Sequence, residues 1–466
     1  MYTYQDLIAV GNNEKDRMEF VQKVVKAHLG STEHRNAVDN ELYYSGENPT
    51  IYRYQKIVYD LIGRAHNDPF SPNHKVSSSF FGFAVDQEIS YLLGNGVSFE
   101  DKNTATKLGK NFHKKLREIV TRGSVQGRSF GFWNFDHIEA FSFASTSTTP
   151  GFAPMYDEET GVLSAGIRFW QIDENKPLRM TLYEPDGYTD YIKRKDEECT
   201  VLKEKTAYKL QVSRTELDGI IDVVGSNYST IPIFEFKYTE NGKSKITGKR
   251  STIDALDFVY SNLINTLDEG NFIYWLIKNC DGMSELDDVK FLERLKTIHV
   301  AHTGDGDGNA DVEPHTIDIP HEATQVGIDA LKKKLYEDFQ AFDASAVSAG
   351  NQTATAIRAC YTNLDLLVDK TEDQVTEFIQ QVLQLIGIDD APTYTRNKIS
   401  NTSEEIQTIL LTAQILPDDY IVKKILTTLG DADRVDEILK QVDDEAAARF
   451  IQTEQTEQTE TGGSIE

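Results

Sequence analysis

The most metal-like group of side chains in this sequence lies between residues 299 and 315. Imidazole groups and carboxylate oxygens are dense there, and such groups can hold a calcium ion or a catalytic metal. A calcium loop does not fit, because counting from Asp305 puts Ala310 at the required glycine and Thr316 at the bidentate acid. The members of the group are His299, His302, Asp305, Asp307, Asn309, Asp311, Glu313 and His315.

The spacing of the two histidines also argues against a shared metal ion. His299 and His302 are three residues apart in a predicted strand, so their side chains point to opposite faces. We therefore interpret the segment as a mobile acidic hairpin tip and predict no metal site. A metal-dependent hydrolase that uses this cluster remains the less favoured alternative.

No other pattern in the chain predicts catalysis. The sequence contains no G-x-S-x-G, no H-E-x-x-H, no paired C-x-x-C and no P-loop. The isolated Gly94-Asn95-Gly96 follows a predicted helix rather than a strand, so it is interpreted as a turn. We predict no catalytic residue and no cofactor, and the protein is not expected to be an enzyme.

The composition indicates a large, acidic, folded protein. A length of 466 residues favours two to four domains, and the formal net charge is −27. Such a charge argues against adhesion to nucleic acid or to anionic membranes, although DNA could still pass by without sticking. Cys199, Cys280 and Cys360 are far apart and odd in number, which predicts free thiols in a reducing compartment. Neither a signal peptide nor a membrane span is predicted.

Hydrophobic periodicity predicts a mixed, multi-domain α+β fold. Residues 1–120 are expected to be helical, with one apolar stripe at Met18, Val21, Val25 and Leu29 and another on the helix from Phe80 to Leu93. Residues 121–250 alternate with a period of two and predict antiparallel β structure. The cations at its end are interpreted as a solvated connector; they are Lys243, Lys245, Lys249 and Arg250.

The second half is predicted to be organised around two helical segments and the link between them. A helix from Ser251 to Lys278, capped by Ser251, leads into a small α/β insertion with strands at 297–303 and 315–320. The returning helix buries one face, and a long helix ending near Ile386 buries another. The first face consists of Ile328, Leu331, Leu335, Phe339 and Phe342, and the second of Ile357, Tyr361, Leu364, Val368, Val375, Phe378, Ile379, Val382 and Ile386, with Thr371 as the one polar gap.

The link between these helices is small, polar and pliable. Gly350 and the serines around it favour a flexible loop. The loop contains one acid, Asp343, and no lysine or arginine, so it cannot bind phosphate groups through positive charge. Its central residues are Asp343, Ala344, Ser345, Ala346, Val347, Ser348, Ala349, Gly350 and Asn351.

Three short helices and a polar tail are predicted after the long helix. Thr402 and Glu405 form a capping box, a second helix spans about Asp418 to Leu429, and a third covers Asp433 to Phe450. Residues 451–466 form an acidic triplet-repeat tail with little to bury, which is expected to be disordered.

The order of these parts resembles the portal proteins of tailed bacteriophages, and most closely the portal family of long-tailed phages that infect Gram-positive hosts. Each stretch alone is only a weak match to the family, but the order in which the stretches follow one another is specific and spans nearly the whole chain. The stretches are ELYYSGENPTI, NHKVSSSFFGFAVDQEISYLLGNGVSF, AGIRFW, STIPIFEFKYTENGKSKI, STIDALDFVYSNLINTLDE, SAGNQTATAIRACYTNLDLL and NTSEEIQTILLTAQILPDDYIVKKI.

This resemblance implies a portal architecture. Residues 1–250 would form the wing, helical over 1–120 and mainly antiparallel β over 121–250. The stem helices would span 251–280 and 321–342, on either side of a small α/β clip at 281–320. Residues 343–353 would be the tunnel loop, 354–387 the long wing helix, 388–450 the all-helical crown and 451–466 the tail.

The resemblance also implies a function without chemistry of its own. The protein would form a ring, expected to be a dodecamer, at one capsid vertex of the virion, after assembly in the host cytoplasm. Double-stranded DNA would pass through the channel without sequence specificity during packaging and ejection. The implied partners are the terminase large subunit, head-completion or adaptor proteins, and the major capsid and scaffold proteins, with no membrane. A capsid-associated scaffold or adaptor that forms no ring is the alternative.

The run Lys332, Lys333 and Lys334 in the second stem helix has two interpretations. Consecutive helical residues point about 100° apart, so at most two of the three can face a lumen. Lys333 and Lys334 could be solvent-facing partners of Glu337 and Asp338 at i+4. The functional alternative is a ring of cations in the DNA channel.

Replacing Gly350 with valine should stiffen the loop, because a β-branched side chain restricts the backbone conformations that glycine allows. We expect the variant to package less DNA while assembling normally. The measurement is DNA content per particle beside ring yield. Packaging equal to that of the parent protein would contradict the prediction that DNA packaging depends on a flexible loop.

Overall fold

The computed structural model describes residues 2–59, 62–68, 71–214, 221–269, 274–278, 311–315, 321–344, 354–396, 402–412, 415–429, 435 and 438–441. Helices and strands are mixed along the chain, as predicted. Two units can be distinguished: the first is Met1–Ala341 with Leu366–Arg396, and the second is Phe342–Asp365 with Asn397–Glu466. None of the helices within the described ranges combines the length and apolarity that crossing a membrane requires.

The N-terminal region is mainly helical. Side-chain caps begin its first helices: the Thr3 hydroxyl accepts from the backbone N–H of Asp6, and Asn13 and Ser31 cap the next two. The stripe predicted on the second helix is confirmed for Val21 and Val25, but Leu29 is exposed. The helices are α1 (Tyr4–Val10), α2 (Glu14–Gly30), α3 (Thr32–Tyr44), α4 (Pro49–Arg53), α5 (Phe80–Leu93), α6 (Lys102–Lys107) and α7 (Phe112–Gln126).

Three short strands interrupt this helical region and were not predicted. Strands β1 (Ile57–Tyr59) and β2 (Ala65–Asn67) pair with each other, and β3 is Val97–Phe99. The apolar face predicted on α5 is confirmed, because Phe81, Ala84, Val85, Ile89, Leu92 and Leu93 are all buried.

An eight-stranded sheet forms the centre of the first unit, with strand order β10-β9-β8-β7-β6-β5-β4-β13. Its pairs are antiparallel as predicted, except that β5 and β6 pair in parallel at Ser142 and Gly151. The strands are β4 (Arg128–Asn134), β5 (His137–Ser142), β6 (Gly151–Tyr156), β7 (Leu163–Trp170), β8 (Leu178–Glu184), β9 (Gly187–Lys193), β10 (Thr200–Thr206) and β13 (Ile233–Lys237); β11 (Lys209–Arg214) and β12 (Ile221–Ser226) form a separate hairpin.

Both faces of the sheet are covered, because successive side chains of a strand point to opposite sides. On one face, Ala153 and Leu182 belong to a cluster that α1 and α2 complete with Leu7 and Val21. On the other face, the adjacent positions Phe152 and Tyr183 belong to an aromatic cluster that includes residues from α3 and β4. Cys199 is buried in the first cluster as a free thiol, and Cys360 is also free.

The segment after β13 contradicts the prediction of a solvated basic connector. Lys245 is buried, and its Nζ lies 2.6 Å from Glu88 Oε2 of α5 and donates to the Ala84 carbonyl at 2.6 Å. Glu88 also accepts from the hydroxyls of Tyr238, at 3.1 Å, and Thr371, at 2.5 Å. Only Lys243 of the four cations is exposed. A run of cations that looked solvated therefore supplies one half of a buried ion pair.

The helix α8 begins at Arg250 and ends at Glu269, earlier than expected. Because it begins before Ser251, the predicted cap is wrong, and residues 274–278 are not helical. They form strand β14 (Tyr274–Lys278), which pairs antiparallel with β15 (Asp311–His315). Strand β15 ends at His315, so it overlaps the strand predicted at 315–320 at one residue. The other predicted strand, at 297–303, lies outside the described part of the chain.

One face of α8 holds the extended segment before α5 through a ladder of polar side chains. Asp257 accepts from the backbone N–H of Ser78, and the Ser261 hydroxyl accepts from that of Val76. Asn265 then accepts from the backbone N–H of His74 at 2.7 Å. The helical spacing of four residues, about 6 Å, thus matches a strand spacing of two residues, about 6.6 Å. These three hydrogen bonds therefore fix α8 in register with the extended segment before α5.

The two remaining long helices agree closely with prediction. They are α9 (His321–Phe339) and α10 (Ala354–Ile386), which has 33 residues and a length of about 50 Å. Ile328, Leu335 and Phe339 of α9 are buried, and Leu331 is half-buried. On α10, the structure buries Tyr361, Leu364, Val368, Thr371, Val375, Phe378, Ile379 and Val382.

The segment after α10 belongs to the first unit up to Arg396, whereas the sequence assigned residues from 388 onward to the predicted crown. Strand β16 (Pro392–Tyr394) pairs with β3. Asp390 accepts from the Thr104 hydroxyl at 2.7 Å, and this hydrogen bond lowers the pKa of the carboxyl. In the second unit, α11 (Thr402–Thr412) packs against α12 (Asp418–Leu429), whose bounds were predicted correctly. The tail at 451–466 lies outside the described residues.

We expect Glu88→Gln to destabilise the first unit by about 3–5 kcal/mol, because it leaves the buried Lys245 ammonium without its counter-charge. The measurement is the midpoint of denaturant unfolding at a matched protein concentration. Glu19→Gln, which breaks a fully exposed i,i+4 pair with Lys23, is the control and should leave the midpoint nearly unchanged.

A double variant, Glu88→Gln with Lys245→Met, should recover much of that loss, since it removes the stranded charge. An effect of Glu88→Gln as small as that of Glu19→Gln would contradict the role given to the pair.

Candidate functional site

The candidate site is the start of the loop that follows α9. A Schellman motif ends this helix: the backbone N–H of Ala341 donates to the Tyr336 carbonyl, and that of Gln340 donates to the Glu337 carbonyl. Gln340 has a φ of 50°, the left-handed conformation that this motif requires. The chain therefore leaves the helix axis at a defined residue, immediately before the predicted loop.

The last turn of α9 is anchored by aromatic packing. The Phe339 ring is fully buried and lies 5.6 Å from the Phe80 ring and 6.0 Å from the Phe81 ring, both on α5. Tyr336 packs edge-on against Phe80 at 5.1 Å. Edge-to-face pairs of this kind contribute about 0.5–1.5 kcal/mol each beyond the burial of their area. The position at which the loop begins is therefore set by α5.

A cation completes this anchor. The Nζ atom of Lys249 lies 4.7 Å from the centre of the Phe339 ring. Burial, together with the nearby Lys245 charge, lowers the pKa of Lys249 to about 8. Because this value is below the ordinary lysine pKa, burial of the charged Lys249 costs stability below about pH 8. That cost is relieved as pH rises from about 8 to 10.5, while deprotonation in the folded state ends the cation–π contact.

In the second unit, an aromatic stack joins the two ends of the loop. The rings of Phe342 and Tyr361 are parallel within 10° and their centres are 4.2 Å apart. Both side chains are buried. The stack therefore brings a residue just before the predicted loop into contact with a residue of α10 that follows it.

Only the first two residues of the predicted loop are among the described residues. Asp343 is half-buried and Ala344 is exposed. The others lie outside the described part of the chain; they are Ser345, Ala346, Val347, Ser348, Ala349, Gly350 and Asn351. Their assignment as the DNA-facing part of the loop stays a prediction.

The three consecutive lysines of α9 have different surroundings. Lys332 Nζ lies 5.6 Å from the centre of the Tyr260 ring on α8, and a hydrogen bond to that tyrosine raises the pKa of Lys332. Lys334 pairs with Asp338 at 3.0 Å, which confirms one of the two predicted i+4 pairs. Lys333 is exposed, and within the described residues no ion pair joins it to Glu337. Of the three cations, Lys333 is therefore the one that α8 and α9 leave available.

The metal-like cluster receives no support from the described residues. His299, His302, Asp305, Asp307 and Asn309 lie outside them, whereas Asp311, Glu313 and His315 are in β15. Across the described ranges no group of three or more His, Cys, Asp or Glu side chains is arranged to hold a metal ion. Strand β15 pairs with β14, a partner that the sequence did not predict.

The contacts that hold the site in place were missed in the sequence. Glu88 and Lys245 are 157 residues apart, and each type of residue is ordinarily exposed. A signal was present in Glu88, a single charge among the apolar residues of the α5 stripe. Thr371, the polar gap in the α10 stripe, was a second signal, since it donates to that carboxylate.

Comparison with known proteins identifies relatives along most of the chain. The family described as phage portal protein, SPP1 Gp6-like, matches residues 26–448. The portal protein of Clostridium phage phiCD119 is 23% identical over 386 residues, which cover 77% of this chain and 83% of that protein. The portal protein of Bacillus phage SPP1 is 23% identical over 392 residues, covering 79% of this chain and 75% of that protein.

Solved structures similar to this chain include chains of gene transfer agent particles. One is the neck of the native particle computed with C12 symmetry, with a TM-score of 0.42 and 10% identity over 74% of this chain and 89% of that one. Another is the virion of the native particle, with a TM-score of 0.43, 10% identity and the same coverage.

Proposed function

The chain belongs to the phage portal protein family, SPP1 Gp6-like, and from this membership we propose that it forms a ring at one capsid vertex through which DNA is packaged and ejected. The match over residues 26–448 is the observation that carries the proposal. The family is structural, and no side chain is assigned a catalytic role. The protein acts in the virion, after assembly in the host cytoplasm.

The described elements support a portal architecture with changed boundaries. The wing consists of residues 1–249, the later part of α10 and strand β16, because β16 pairs with β3. The stem is the packed pair α8 and α9, and the clip lies between them, starting with β14. The tunnel loop follows Ala341, and the crown begins after residue 396 with α11 and α12.

A ring of identical subunits made of this chain would repel DNA over most of its surface. Each copy has a formal charge of −27, so twelve copies give the channel walls few stable phosphate contacts. DNA can then move without falling into deep binding minima, whereas a basic channel would bind it in a salt-dependent way. The proposed partners at the two ends are the terminase large subunit and head-completion or adaptor proteins at the clip, and scaffold and major capsid proteins around the wing.

The ring is tested directly by negative-stain microscopy and mass measurement of the purified full-length chain. We expect particles with a central hole and a mass near twelve times 52.6 kDa. The search should cover several salt and protein concentrations, with co-expressed scaffold protein as a further condition. A monomer in every condition, including that with scaffold, would contradict the proposal.

Lys333 is the cation of α9 expected to face DNA, because Lys332 and Lys334 have partners within the helix pair. We expect Lys333→Glu to reduce the DNA packaged per particle in a complementation assay, with ring yield unchanged. Lys334→Gln is the control on the same helix: it removes one charge and breaks the i,i+4 pair with the half-buried Asp338, so its effect on stability should be about 0.5 kcal/mol or less. Full packaging by the Lys333→Glu variant would contradict the assignment of this residue to the DNA channel.

A further inference from the structure

A basic segment stands out against the acidic chain between Lys102 and Arg122, in helices α6 and α7. It contains seven lysine or arginine residues and a single acid, Glu118, within a chain of net charge −27. The seven are Lys102, Lys107, Lys110, Lys114, Lys115, Arg117 and Arg122. No role in the fold or in the candidate site described above uses this segment's charge.

Two of the seven cations neutralise the only acid. Lys115 lies 2.8 Å from one carboxylate oxygen of Glu118, and Arg122 lies 2.6 Å from the other. The remaining five are exposed, and no ion pair to them is found among the described residues; they are Lys102, Lys107, Lys110, Lys114 and Arg117. We name these five residues the basic stripe.

Helical geometry places two members of the stripe on one surface, and a third lies in the turn just before them. Helix α7 buries Leu116, Ile119 and Val120, which leaves Lys114 and Arg117 together on its outer side at a spacing of three residues. Lys107 is the last residue of α6, and Lys110 lies in the turn that joins α6 to α7. Neighbouring helical positions such as Lys114 and Arg117 are about 5–6 Å apart, close enough for one polyanionic chain to contact both.

The helix itself gains nothing from these cations. Lysines close to the N-terminal end of α7 oppose the helix dipole, and its first turn contains no acid to offset them. In α1 and α2, by contrast, acids occupy the first turn and a side chain caps the helix. Each misplaced cation costs about 0.3–1 kcal/mol, so stability does not explain the stripe.

The chemistry of the surroundings favours a polyanion rather than a protein partner. Leu108, Phe112 and Leu116 are buried, and the exposed ring that adjoins the stripe is Phe135, in the β4–β5 turn that packs against Gly109. One isolated ring does not make an apolar centre. Protein interfaces have apolar centres in which lysine is depleted. A surface of exposed cations without such a centre instead suits a phosphate backbone, which is bound by charge alone.

We propose that the basic stripe binds the phosphate backbone of double-stranded DNA without sequence specificity, as a contact separate from the loop that follows α9. The choice of DNA as the polyanion rests on the proposed function, in which this protein works on DNA. The stripe holds the DNA electrostatically, so its affinity falls as salt rises. It thus adds a local binding surface to a protein whose charge otherwise repels nucleic acid.

The test measures binding of the full-length chain to a fluorescent double-stranded DNA of mixed sequence by anisotropy, between about 50 and 200 mM salt. The stripe variant carries Lys110→Gln, Lys114→Gln and Arg117→Gln. The control carries Lys26→Gln, Lys176→Gln and Lys193→Gln, three exposed lysines elsewhere. Both triple variants change the net charge by the same amount.

We expect the stripe variant to bind at least about tenfold more weakly at low salt, and its plot of log affinity against log salt to be shallower by about 2–3. The control should keep the parent's affinity within about twofold and the parent's slope. Equal losses in the two triple variants, or no binding by the parent at 50 mM salt, would overturn the proposal.

Two further measurements identify the partner. Ring formation by the stripe variant, measured by microscopy, should equal that of the parent; a loss of rings with unchanged DNA binding would assign the stripe to a second copy of this chain. Binding of the parent to anionic vesicles should be weaker than to DNA, and a preference for vesicles would overturn the choice of DNA. Rings can be absent while the stripe still binds DNA, so failure of the proposed function is distinguishable from failure of this one.

Discussion

The buried ion pair between Glu88 and Lys245 is the constraint on which the first unit depends. It joins α5, the segment after β13 and, through Thr371, the long helix α10. A buried pair stabilises only when its remaining hydrogen-bonding capacity is used, because removing two charges from water is costly. Here Tyr238, Thr371 and the Ala84 carbonyl use that capacity. A shift of α10 by one residue would move Thr371 away from the carboxylate, so the network selects one register for the helix.

The geometry at the start of the loop follows from that register. Helix α5 carries Glu88 on one side and, near its beginning, the rings of Phe80 and Phe81 that receive Phe339 of α9. The extended segment just before α5 is held by the polar ladder of α8. Helices α8 and α9 are thus bound to α5 and the segment before it by different means, α8 through hydrogen bonds to backbone and α9 through aromatic packing. A ring of identical subunits needs such a rigid connection, since a small error in the position of these helices would repeat in every copy.

Elements with a long, regular apolar period could be predicted from the sequence, and elements decided by distant partners could not. The buried stripes of α5 and α10 and the bounds of α12 follow from local spacing alone. The strand at 274–278 was mistaken for helix because its apolar residues continue those of α8, while its pairing with 311–315 depends on residues far along the chain. Lys245 was mistaken for a solvated cation for the same reason: its counter-charge lies 157 residues earlier. The loop residues from Ser345 onward lie outside the described part of the chain, so their assignment to the DNA-facing loop remains a prediction from the sequence.

The net charge of the chain does not by itself determine whether one part of its surface can bind DNA. A total of −27 describes the field far from the protein, but at physiological ionic strength charges separated by more than about 8 Å are largely screened from each other. A phosphate close to α7 therefore responds to Lys110, Lys114 and Arg117 more than to the acids elsewhere on the surface. An acidic protein can bind DNA at one place and repel it at others, and the two properties serve different ends: repulsion lets DNA move, and a local cationic surface holds it in position. Because total charge averages over both, only the placement of charges on particular helices separates them.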